Sequence, residues 1–126
     1  MSVVPASFGD MAIHPVMITI DCADPRGLAR FWTAALGTEV ANDYGEFVVL
    51  AAPEGGLPLG LQRVPEPRTG KNRVHIDFGG DDRRAEVKRL VGLGAKEVAE
   101  HEVPGLTWTV LTDPEGNEFC VSAREG

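Results

Sequence analysis

Thr109-Val110-Leu111-Thr112-Asp113-Pro114-Glu115-Gly116 has a counterpart earlier in the chain, Val48-Val49-Leu50-Ala51-Ala52-Pro53-Glu54-Gly55. Each stretch reads as a strand running into a Pro-Glu-Gly turn, where proline presets one backbone angle and glycine permits a positive one. One such hairpin carries little information, but a second pair of matching segments lies upstream in the same order. Ile18-Thr19-Ile20-Asp21 corresponds to Val74-His75-Ile76-Asp77, both alternating strands of the kind that bury one face. An acidic helix start follows each, Asp24-Pro25 and Asp81-Asp82. Aspartate at an N-cap accepts from free helix amides, and proline suits the first helical position.

The helices agree as well. Leu28, Phe31, Trp32, Ala35 and Leu36 recur at helical spacing, and Val87, Leu90 and Val91 form a shorter equivalent. Each stripe closes on Leu-Gly, at Gly37 and Gly94, where glycine takes the left-handed cap. Strands are then predicted over roughly 39–41, 46–52 and 57–64 in the first half, and 97–100, 106–112 and 117–122 in the second. The order is βαβββ, twice, which makes the fold class α+β. Pro65-Glu66-Pro67-Arg68-Thr69-Gly70 has the turn residues of a linker. The expected organisation is an N-terminal arm over residues 1–13 and one domain over 14–126, with module 1 at about 14–64, the linker at 65–70 and module 2 at about 71–126.

A chain of 126 residues, 43% hydrophobic and 25% charged, is large enough to bury one core. Nineteen acidic against twelve basic side chains leave a net charge of −7. That balance argues against nucleic acid as a partner, because phosphate neutralisation needs a basic face. No membrane partner is expected either, since Asp21, Asp24 and Arg26 interrupt the best apolar run. Met1 to Met11 lacks the basic start and apolar block of a signal peptide, so a cytoplasmic protein is expected. Cys22 and Cys120, the only cysteines, sit in apolar strand-like runs and are expected to be buried reduced thiols. Arg63, Arg68, Lys71 and Arg73 concentrate positive charge in one segment. It is either a solvated loop or an attractor for a small anion such as a carboxylate.

Three pieces of the chain together resemble the glyoxalase/bleomycin resistance/dioxygenase (vicinal oxygen chelate) superfamily over about Val16 to Ala123. They are Asp24-Pro25 followed by Phe31-Trp32 and Leu36-Gly37; Lys71-Asn72-Arg73-Val74-His75-Ile76-Asp77; and Asp113-Pro114-Glu115-Gly116-Asn117-Glu118-Phe119. The resemblance implies two βαβββ modules whose strands form a curled mixed β-sheet cleft with flanking helices, and a homodimer. In metal-dependent members it implies a divalent ion held by His and Glu. Carried onto this chain, the four ligand positions fall on Met17, Gln62, His75 and Cys120. Only His75 matches, and the set is not one for a hard divalent ion, so no cofactor is predicted. A metal held by a shifted set of His75, Glu118 and one more residue is the alternative.

Strand alternation places Arg73 and Asp77 on the face of His75, and by the repeat Met17, Thr19 and Asp21 on the equivalent face of the first half. His75 is the candidate catalytic residue, as general base or hydrogen-bond donor, although a lone strand histidine is also a common satisfied rim residue. Thr19, Asp21, Gln62, Arg73, Asp77 and Trp108 are the candidate ligand-binding residues. Trp108 alternates with Leu106 and Val110, so it either stacks on a planar ligand or packs in the core; Trp32, on the helix stripe, is expected to pack. The expected function is a small-molecule cleft without the usual metal, binding or acting on a small anionic compound reached by Arg63, Lys71 or Arg73. The alternatives are a metal-dependent lyase, isomerase or dioxygenase of the same superfamily, and a non-catalytic drug-binding resistance protein.

Overall fold

A computed structural model describes residues 14–123. The N-terminal arm expected over residues 1–13 lies outside the described residues. The elements run β1 (Ile18–Cys22), α1 (Pro25–Leu36), β2 (Val40–Asp43), β3 (Phe47–Leu50), β4 (Leu59–Arg63), β5 (Ile76–Gly80), α2 (Arg83–Leu93), β6 (Lys96–Val103), β7 (Leu106–Thr112) and β8 (Glu118–Ala123). The doubled βαβββ order expected from the repeat is the one observed.

Each module builds one four-stranded mixed sheet, ordered β1-β4-β3-β2 and β5-β8-β7-β6. In both, the first strand pairs in parallel with the last, and the remaining ladders are antiparallel. The repeat extends to irregularities. A register shift lies between Val40 and Asn42 against β3, and the equivalent shift lies between Glu97 and Ala99 against β7. No ladder joins β1 to β5, so the two sheets meet at a seam and do not close into one.

Local chemistry explains the helices. The Asp24 carboxylate accepts from the amide of Gly27 at 3.1 Å and Pro25 takes the first turn, while Gly37 closes α1 at φ 65°. Of the two acidic residues before α2, Asp82 is the cap, accepting from Ala85 at 3.1 Å. α1 buries Leu28, Ala29, Phe31 and Trp32, and Trp32 reaches across to the second module. Its ring centroid lies 5.0 Å from that of Phe119 and 5.6 Å from that of Phe78. One hydrophobic core therefore runs under both sheets.

Several strand limits differ from expectation; β2 runs on to Asp43 and β4 starts only at Leu59. β5 starts at Ile76, not Val74, because its ladder to β8 begins at the Ile76–Phe119 pair and Asn117 is already tied into the preceding turn. β6 runs on to Val103, three residues beyond the expected Glu100, because β7 offers it partners as far as Leu106, with Gly105 turning at φ 85°. β3 ends at Leu50, although the amide of Ala51 still donates to the carbonyl of Glu39 at 2.8 Å.

Candidate ligand site

The seam between β1 and β5 encloses a cavity of about 290 Å³. Ile18, Ile20, Ile76 and Phe119 supply apolar walls, and the segment between modules contributes Arg68, Thr69 and Lys71 at its polar side. Thr19 and Asp21 line it from β1, Glu118 from β8. The linker is thus part of the site, which its turn-like composition did not announce.

Lys71 is central to the polar side. Its ammonium stands 3.3 Å from Nε2 of His75 and 3.6 Å from Oε1 of Glu118. The Glu118 side chain is only 16% exposed, and its Oε1 is buried without a hydrogen bond. A buried carboxylate oxygen without a donor is unfavourable unless a cation lies close, so the ammonium is held where it is by charge. Lys71 is 72% exposed at its side chain, leaving N–H groups to spare toward the cavity. Sequence reasoning saw Glu118 only as a shifted metal ligand; its pairing with Lys71 depends on how the linker folds back and has no local signal.

The other basic residues separate. Arg63 is drawn to Glu46 at 3.2 Å, at the far end of β4. Arg68 donates to the side-chain oxygen of Asn72 at 2.7 Å while lining the cavity. Arg73 is exposed and precedes β5, so strand alternation does not govern where it points; it is not among the cavity walls. Gln62 sits opposite Asp21 on β4 and is exposed. Trp108 is half-buried on β7, its ring 5.4 Å from that of His101, and it lies outside the seam.

His75, Asp77 and Cys120 come together on the second sheet, their ligating atoms within 4.8 Å of one another. The parallel register sets Asp77 beside Cys120. Burial raises the Cys120 thiol above its ordinary pKa, and its hydrogen bond to Asp77 raises it further. Cys22 is buried too, and its pKa is pushed up to about 12 by burial first and then by the carboxylates of Glu115 and Asp113. Both thiols are free, as expected.

The Asp113-Pro114-Glu115-Gly116-Asn117 turn proves to be a clamp between modules. Asp113, 3% exposed, accepts from the amides of Glu115 and Asn117 at 2.9 Å each and from the Trp32 indole N–H at 3.1 Å. Glu115 reaches the start of α1, where its two oxygens accept from the amides of Ala23 at 2.6 Å and Asp24 at 2.8 Å. Trp32, expected to pack, does so and is also hydrogen-bonded.

A sequence model of the glyoxalase-like domain matches residues 17–122. The chain belongs to the glyoxalase-like domain family. Solved structures agree on its fold. A fosfomycin resistance protein from Listeria monocytogenes, complexed with Mn(II) and a dihydroxypropylphosphonic acid, superposes with a TM-score of 0.76 at 18% identity, covering 90% of this chain and 92% of that one. A lactoylglutathione lyase from Agrobacterium tumefaciens gives 0.67 at 20% identity, covering 90% and 96%. A glyoxalase/bleomycin resistance/dioxygenase family enzyme from Burkholderia phytofirmans gives 0.70 at 20% identity, covering 85% and 95%. No curated protein matches the chain.

The donors at the family's ligand positions do not fit a hard divalent ion. Met17, Gln62, His75 and Cys120 offer a thioether, an amide, an imidazole and a thiol. The Met17 thioether is moreover engaged in packing: it closes with the Phe47 ring over Gly60, where an added Cβ would lie 2.7 Å from Sδ and 2.8 Å from the ring. Among the described residues, no helix of this glyoxalase-like domain is long and apolar enough to cross a membrane.

Proposed function

We propose that this glyoxalase-like protein binds a small anionic organic compound in the seam between its two modules, with the apolar body against Ile18, Ile20, Ile76 and Phe119 and the anionic end toward Lys71. The observation that carries the reading is the Lys71 ammonium at the cavity, 3.3 Å from His75 and 3.6 Å from the buried Glu118. A cavity near 290 Å³ suits a compound of modest size. Arg68 supplies a second cationic contact, a guanidinium, Thr19 a hydroxyl, and Asp21 an acceptor for a donor on the ligand. His75, beside Lys71, is the group able to accept or return a proton at that end. Gln62, His75, Asp77, Arg73 and Trp108 do not line this cavity; His75 enters the reading only through its 3.3 Å contact with Lys71, and the others only as surroundings. A homodimer is part of the proposal on family grounds, and light scattering on the full chain tests it.

Binding of small monocarboxylates and phosphonates, read by thermal shift and calorimetry, is the test. A contact to an ammonium as exposed as Lys71 is worth about 0.5–1 kcal/mol, so Lys71→Met should weaken an anion about two- to fivefold. Uncharged analogues of the same shape should bind the wild type and Lys71→Met equally. Anions that bind both proteins equally would overturn the assignment.

A further inference from the structure

We propose that His75, Asp77 and Cys120 form a three-ligand site for a borderline divalent cation such as zinc, contained wholly within the second module. Their ligating atoms lie within 4.8 Å of one another, and the parallel β5–β8 register makes Asp77 and Cys120 neighbours. One imidazole, one carboxylate and one thiol are the donor types zinc takes, and three protein ligands with one open position is the arrangement of its reactive sites. A thiolate in the set disfavours the hard ions, magnesium and manganese, that the usual His and Glu ligands would hold.

The local chemistry has the features such a site needs. Cys120 is buried while His75 and Asp77 are exposed, so the ion would sit against the sheet with its open position toward solvent. Without a cation, the Asp77 carboxylate holds the thiol proton in place, since two adjacent negative charges would otherwise repel. Metal binding forms the sulfur–metal bond as the thiol releases its proton to solvent. Lys71, at 3.3 Å from Nε2 of His75, competes for that nitrogen, but its side chain is mostly exposed and keeps Glu118 as a partner when it swings away. The site shares His75 with the proposed seam reading, but its test involves no organic compound, so the two can fail separately.

Cobalt is the probe. The chelator-treated full-length protein is titrated with Co(II), which reports tetrahedral coordination by visible d–d bands and a sulfur ligand by a near-ultraviolet thiolate-to-cobalt band. The expected result is one equivalent bound, with both signals, and displacement by zinc but not by an equal concentration of manganese. Cys120→Ser should lose the near-ultraviolet band, whereas Cys22→Ser should keep it. Asp77→Asn and His75→Gln change exposed positions, leave the core intact, and should weaken cobalt by at least about tenfold, a loss seen even for groups one layer out from a metal. Gln62→Ala should bind as wild type, because no ligand comes from the first module. The proposal is overturned if wild type shows no thiolate band, if the band survives Cys120→Ser, or if Asp77→Asn binds cobalt unchanged. It is equally overturned if Gln62→Ala releases the ion or if manganese displaces cobalt as readily as zinc does.

Discussion

Truncating Glu115 to alanine should destabilise the whole domain, although the residue lies in a turn outside the core. Its two oxygens accept from the amides of Ala23 and Asp24 at 2.6 and 2.8 Å, tying the β7–β8 turn of one module to the N-cap of α1 in the other. A hydrogen bond to a charged acceptor contributes about 1.5–3 kcal/mol when buried, and these two are exposed, so about 1 kcal/mol each is the reasonable figure. The carboxylate also sits at a helix N-terminus, which adds about 0.3–1 kcal/mol. The sum is about 2–3 kcal/mol, or a fall in Tm on the order of 10 °C for a domain of this size. Urea denaturation followed by tryptophan fluorescence measures it, because Trp32 lies at the same junction. The repeat supplies the control. Glu54 holds the same place in the Pro-Glu-Gly turn of the first module and is exposed, so Glu54→Ala should change stability by less than about 0.5 kcal/mol. A Glu115→Ala protein as stable as Glu54→Ala would refute the clamp. Glu115→Gln should recover little, since one of its two oxygens becomes an NH₂ facing an amide donor.

Trp32→Phe keeps an aromatic ring against Phe119 but removes the indole N–H that donates to Asp113 at 3.1 Å, and should cost about 1–3 kcal/mol in a urea titration. Gly60→Ala places a methyl 2.7 Å from the Met17 sulfur and 2.8 Å from the Phe47 ring; the thioether can shift and the ring has less room, so a loss of about 1–2 kcal/mol is expected from the same measurement. The Cys22 pKa of about 12 sets a pH dependence. The native thiol keeps its proton where the unfolded thiol, near its ordinary pKa of about 8.5, has lost it. Its contribution to stability is therefore complete below about pH 8.5, falls as pH rises, and is gone once pH has passed the native value. Stability curves of wild type and Cys22→Ala should converge as pH rises through that window, and parallel curves would contradict the assignment.

Much of this architecture was legible because its determinants are local. Asp24, Pro25 and Gly37 bound α1 by capping rules that act within a few residues, and the alternation of Ile18, Thr19 and Ile20 already marks the half-buried face of β1. Less was legible where an outcome depends on a partner strand. The β5 start, set by Phe119 on β8, displaced Val74 and His75 from a strand that their own alternation supports. The basic segment illustrates the same limit at the site: Arg63, Arg68, Lys71 and Arg73 are equivalent as text, yet Glu46 holds the first, the cavity receives the next two, and the last stays outside it.

The paired Pro-Glu-Gly turns, taken as sequence, determined the doubled βαβββ order, because turn and cap preferences are properties of adjacent residues. Only the tertiary structure decided what the two turns do. Asp113 and Glu115 fasten the modules together while Ala52 and Glu54, at the matching places, do not, because only the second turn faces Trp32 and the amides of Ala23 and Asp24. The same holds for chemistry. Lys71 against Glu118, and Asp77 against Cys120, are meetings between segments distant in the chain, set by the seam and by strand register, and neither leaves a trace in local spacing.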